Sequence, residues 1–176
     1  MYSCSAPEEV TFSGDETSIT GNAIYFNDFY KEAIVSIPFS IEVHVQAVTN
    51  LVGAEIEVSY DTELVDFTSA VAGTLLEGAS YNIFQVEPRI DMGRVLLTLA
   101  TAQDGGSGLS GSGSLVKLTF TPKSIGSFDL KLDLSSETGF CPWHEFSDDH
   151  SIYIEDTSPT TIKTFQSLIN ATIEIQ

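Results

Sequence analysis

Residues 36–48 read SIPFSIEVHVQAV, in which Ile41, Val43, Val45 and Ala47 alternate with Glu42, His44 and Gln46. A period of two is what a strand with one buried face requires. Residues 53–60 repeat it: Ala54, Ile56, Val58 and Tyr60 share one side, and Gly53, Glu55, Glu57 and Ser59 the other. Residues 94–102 set Val95, Leu97 and Leu99 against Leu96, Thr98 and Ala100. Residues 115–121 (LVKLTFT) and 128–134 (FDLKLDL) alternate cleanly, the latter turning Asp129, Lys131 and Asp133 toward water. Residues 171–175 (ATIEI) close the chain in the same pattern, and residues 10–12, 64–71 and 81–86 add shorter strand candidates.

Helical signals are scarce. Residues 27–33 (NDFYKEA) have room for a turn or two, and residues 161–169 combine weak helical spacing with high β-propensity. Residues 104–114 (DGGSGLSGSGS) read as a flexible connection. Many short strands punctuated by Gly, Pro, Asn and Asp argue for an all-β sandwich. Two stretches exceed what an economical sandwich needs, residues 13–33 and 137–159. They read as long loop inserts that cap an end or an edge, the kind of segment that often carries function.

The chain has 176 residues, the size of one ordinary domain, with residues 1–8 read as a mobile N-terminal tail. At 42% hydrophobic it can fill a core. Its charge is lopsided: 25 Asp and Glu face 7 Lys and Arg, for a net charge of -18. That field repels nucleic-acid phosphates and anionic membrane surfaces. No run approaches the ~20 apolar residues of a membrane helix. The first ten residues lack the charged and apolar regions of a signal peptide.

Candidate chemistry is thin. Cys4 and Cys141 either form one long-range disulfide or remain separate thiols, and the position of Cys4 in a tail favours the second. His144 and His150 share the second insert with Glu145, Asp148, Asp149 and Glu155. Of these, Asp148, Asp149 and Glu155 are what an oxygen-rich calcium site would draw on. Their spacing matches no established metal motif, and a solvated acidic loop is the favoured account of them. No nucleophile elbow is present, so no catalytic residues are assigned and no enzyme is expected. Trp143, with Phe140 and Phe146 close by, fits a sugar platform, a plug at the sandwich end or a partner anchor. A carbohydrate-binding module, with polysaccharide as the partner, is therefore a second functional reading.

The order of segments resembles the cohesin family. Carrying the resemblance are an initial VTFS, then IEVHVQAVTNLVGAEIEVSYDTELVDF, then RVLLTLA leading through a Gly/Ser-rich loop to LVKLTFTP, then SFDLKLDL before a short final strand. The resemblance implies a nine-stranded jelly-roll β-sandwich. It also implies a non-catalytic module outside the cell or on its surface, which binds a dockerin-type protein through one face and needs no cofactor of its own. Calcium is expected on the dockerin. Carried onto this chain, the face comprises residues 53–60, 81–86, 94–102 and 128–134. Its partner-binding candidates are Gly53, Glu55, Glu57, Leu96, Thr98, Ala100, Gln103, Asp129 and Lys131. Gly53 and Glu55 stand where the family often has Asn or Asp, and Gln103 near a position often Glu. Strand phase gives this face a small apolar centre and a carboxylate border, suited to a helix bearing Lys, Arg, Ser or Thr.

Overall fold

The computed structural model describes residues 23–104, 108–133, 152–154 and 167–176. Eleven β segments occur among them: β1 Ala23–Phe26, β2 Tyr30–Ala33, β3 Phe39–Ser59, β4 Val65–Ala72, β5 Tyr81–Arg89, β6 Arg94–Ala102, β7 Leu109–Pro122, β8 Gly126–Asp133, β9 Ile152–Ile154, β10 Ser167–Ile169 and β11 Ala171–Ile175. One helical turn, α1 Thr74–Glu77, follows β4 and tucks Leu76 under β7.

β3 organises the molecule. Straight, its 21 residues would span about 70 Å. Instead its two ends converge. Phe39, where β3 starts, stacks on Phe120 of β7 at 5.8 Å, and Tyr60, just past its end, meets the same ring at 5.3 Å. β3 therefore runs out in one sheet, bends and returns in the other. The bend falls at Ala47 and Asn50, both with positive φ (55° and 58°). The first half pairs with β1 and β7, and beyond them lie β10 and β4. The second half pairs with β6 and β8, and the sheet continues to β5 on one side and to β11 and β2 on the other.

The Gly/Ser segment explains how the bend is held. Residues 109–114, expected as a loose connection, are part of β7. The Ser112 hydroxyl accepts the Ala47 N–H and the Ser110 hydroxyl the Asn50 N–H, both at 2.9 Å. Donors that lose ladder partners at a bulge must find others, and these serines supply them. Between them Gly111 sits at φ 133°, a conformation that glycine tolerates best.

The two sheets close on one core. Ile41, Val43 and Val45 of the outgoing half of β3 share it with Ala54, Ile56 and Val58 of the returning half. Val95, Leu97, Leu99, Leu118, Phe120, Leu130 and Ile173 complete it. The inward positions read above for residues 39–60, 94–102 and 128–132 agree with this burial except Ala47, which is exposed: the bend at its positive φ hands the buried position to Val48.

Three expectations change. Residues 27–33 are not helical: residues 30–33 form β2, parallel to β11, with the Gln176 N–H donating to the Ala33 carbonyl. A helix this short is marginal alone, and a waiting sheet edge captures the segment. The first insert is thus not merely a loop, since β1 and β2 lie within it. The segments number eleven rather than nine, the inserts contributing β1, β2 and β9. The strand expected at residues 10–12, Cys4 and Cys141 all lie outside the described residues.

Candidate functional site

The outward face of the returning sheet is laid out by register. Across β8, β3, β6 and β5, the first row is Lys131, Ser59, Arg94 and Arg89. Next come Asp133, Glu57, Leu96 and Glu87. The third row is Glu55, Thr98 and Gln85, and the fourth Gly53, Ala100 and Ile83. β9 borders the fourth row, with Tyr153 in register with Gly53.

The middle of the face is built of short or apolar groups. Thr98 and Ala100 are half-buried, Leu96 is buried against its neighbours, and Ile83 is exposed beside Ala100. Gly53 is buried rather than open, as its place between β6 and β9 dictates. Glu55 is half-buried, and Asp129 and Lys131 are exposed on β8. Asp129 is engaged by its neighbour, accepting the Thr172 hydroxyl at 2.9 Å. Gln103 lies past the end of β6, where its amide donates to the Gly78 carbonyl at 2.9 Å. It braces the turn after α1.

Glu57 departs from the expected solvated carboxylate. It occupies the outward phase, yet only 1% of its side chain is exposed. Arg94 Nη1 donates to its Oε1 at 2.9 Å, and Arg89 Nη1 reaches its Oε2 at 3.4 Å. A carboxylate out of water needs such charged donors, because an unpaired one costs several kcal/mol. Arg89 in turn contacts Glu87 through Nε at 3.2 Å. The border here is a bracketed ion-pair cluster, not a row of open carboxylates.

The two arginines were missed in the sequence, although a signal exists. They bracket a short connection, R-I-D-M-G-R, in which Gly93 takes φ 65° and the residues on either side fall opposite one another. A Cβ at Gly93 would lie 2.5 Å from the Tyr60 carbonyl, so the turn that aims both guanidinium groups demands glycine.

No metal-ligating cluster occurs among the described residues. Asp148, Asp149 and Glu155 lie outside them, as do Trp143, Phe140, Phe146, His144 and His150. His44 is partly exposed on the opposite sheet, with Glu42 at 3.1 Å. Asn170, which opens a glycosylation sequon, accepts the Leu132 N–H at 3.0 Å and so serves the backbone. No helix among the described residues is long and apolar enough to cross a membrane.

Comparison with known proteins decides the family. The family model described as the cohesin domain matches residues 35–138, well over half of the chain. The chain belongs to the cohesin family. Cohesins are non-catalytic protein-binding modules that carry no cofactor of their own. No curated protein matches the chain. Among solved structures it is similar to a non-cellulosomal cohesin from the archaeon Archaeoglobus fulgidus, at 19% identity and TM-score 0.59 over 89% of this chain and 92% of that one. A cohesin solved in a type I cohesin–dockerin complex from Clostridium thermocellum aligns at 14% identity and TM-score 0.64, over 89% and 100% of the two chains. A type II cohesin from Acetivibrio cellulolyticus aligns at 13% and 0.64, over 86% and 93%. At these identities the likeness speaks for the fold, a jelly-roll β-sandwich.

Proposed function

We propose that this cohesin binds a dockerin-type module through the outward face of β8, β3, β6 and β5, and that it does so outside the cell or on its surface. The observation that carries the reading is the face itself. Four strands present Leu96, Thr98, Ala100 and Ile83 as a low centre, with Glu55, Glu87, Lys131 and the two arginines around it. Short central side chains let another backbone approach closely, and a charged rim sets orientation and association rate. Gly53, Glu55, Glu57, Asp129 and Lys131 belong to this face or its edge, and Gln103 braces its end. Solved relatives in complex with dockerins support the choice of partner. Calcium would be held by the dockerin.

Binding of a dockerin panel to the chain, with and without calcium, tests the proposal. At least one calcium-dependent complex is expected, and Ala100→Arg combined with Glu55→Arg should abolish it. A complex indifferent to both substitutions rules out this face.

A further inference from the structure

The positive charges of this acidic chain are not spread evenly. Three of its 7 basic residues, Lys131, Arg94 and Arg89, stand in one row across the candidate face. The other described basic residues each sit against a carboxylate. Lys31 pairs with Asp28 at 2.7 Å, Lys123 with Asp66 at 2.9 Å, and Lys117 is in register with Glu42. In the row the arginines also have carboxylate partners, Glu57 and Glu87, but Arg89 stands directly opposite Arg94. Like charges in a direct cross-strand pair are destabilising. A sequence with 25 acidic residues had ample means to place a carboxylate there.

Glu57 beneath the arginines offsets part of that repulsion and fixes where they point. Glu87 contacts Arg89 from the side, while Asp133 and Asp129 flank Lys131 along β8 and Asp91 lies in the connection after β5. Both arginines remain partly exposed, at 35% for the Arg89 side chain and 21% for that of Arg94. Lys131 is exposed on β8. The face thus carries a basic row beside the β5–β6 connection, with Glu57 and Glu87 in the adjoining row to hold its arginines in place.

We infer that the Lys131–Arg94–Arg89 row is a carboxylate-recognition edge, which orients a protein partner by receiving an acidic turn of it. The inference rests on the proposed face and names what that face selects. Two pre-aimed guanidinium groups suit the planar, bidentate geometry of Asp and Glu side chains. The field of a -18 chain repels acidic groups, so among the described residues this row is where an acidic turn is best received.

Two measurements test this on the intact chain. Titrating a short Asp/Glu peptide into the isotope-labelled protein should shift the amide resonances of Ser59, Arg89, Arg94 and Lys131. An Asn/Gln peptide should not, and the Lys131→Glu/Arg89→Gln variant should lose the response. Absence of shifts at these residues, or equal shifts with the neutral peptide, overturns the inference. In the second arm, a dockerin that binds the chain should bind this variant roughly tenfold more weakly at low salt, mainly through slower association. The difference should shrink at about 0.5 M salt. A dockerin blocked by Ala100→Arg yet indifferent to the variant overturns the cationic edge and leaves the proposed function standing. A peptide response without any dockerin complex does the reverse.

Discussion

The two halves of β3 carry nearly the same pattern and meet different fates. In the outgoing half, Glu42 is a third exposed and shares its surroundings with His44, Ser114 and Lys117. In the returning half, Glu57 has the same phase and the same chemistry, yet is sealed under two arginines. Alternation tells which side of a sheet a residue takes. What lies over that side is decided by neighbouring strands, here by a connection more than thirty residues downstream.

The largest expected effect comes from removing what joins the halves. Phe120 packs against Phe39, Tyr60 and Phe67. Phe120→Ala should cost about 4 kcal/mol in urea unfolding, as large core truncations do. A loss near 1 kcal/mol would mean that the halves do not depend on this ring. Next is Arg94→Ala, which takes from buried Glu57 the shorter of its two arginine contacts. A loss of about 3 kcal/mol is expected, against under about 0.5 kcal/mol for Glu42→Gln. Equal losses would erase the distinction between the two carboxylates. Gly93→Ala should cost about 2 kcal/mol through strain and the close Tyr60 carbonyl, and should weaken partner binding by disturbing both arginines.

The smallest effect is in pH dependence. The Ser114 hydroxyl, then His44 and Lys117, hold the Glu42 carboxyl below its ordinary value, against the opposing effect of partial burial. A folded-state value that is lowered means that folding favours the ionised form. The stabilisation is complete above the ordinary value of 4.5 and fades as pH falls through the lowered one. The melting temperatures of wild type and Glu42→Gln should therefore converge in acid, which paired thermal melts between about pH 6 and pH 3 would show.

Much of the architecture was legible. β6 and β11 have the bounds that their alternation gives, because sequence period and burial period coincide in a half-buried strand. The bend in β3 was not, since Ala47 and Asn50 adopt positive φ without a Gly or Pro to announce it. It is written instead in Ser110 and Ser112, far along the chain, where a Gly/Ser run looks like slack. β2 was hidden because its conformation comes from a partner some 140 residues away rather than from its own propensity. At the candidate site, side-chain phase was readable but the covering of Glu57 was not, because it depends on how β5 folds back over its neighbours.

The pairing of β2 with β11 also bears on how the molecule comes into being. Residues 30–33 leave the ribosome early and must wait until residues 171–175 have been made before that edge can form. The β5–β6 hairpin with its arginines, built from neighbours in sequence, has no such delay. A nascent chain can thus form the β5–β6 hairpin while the β2–β11 edge of the sandwich is still open.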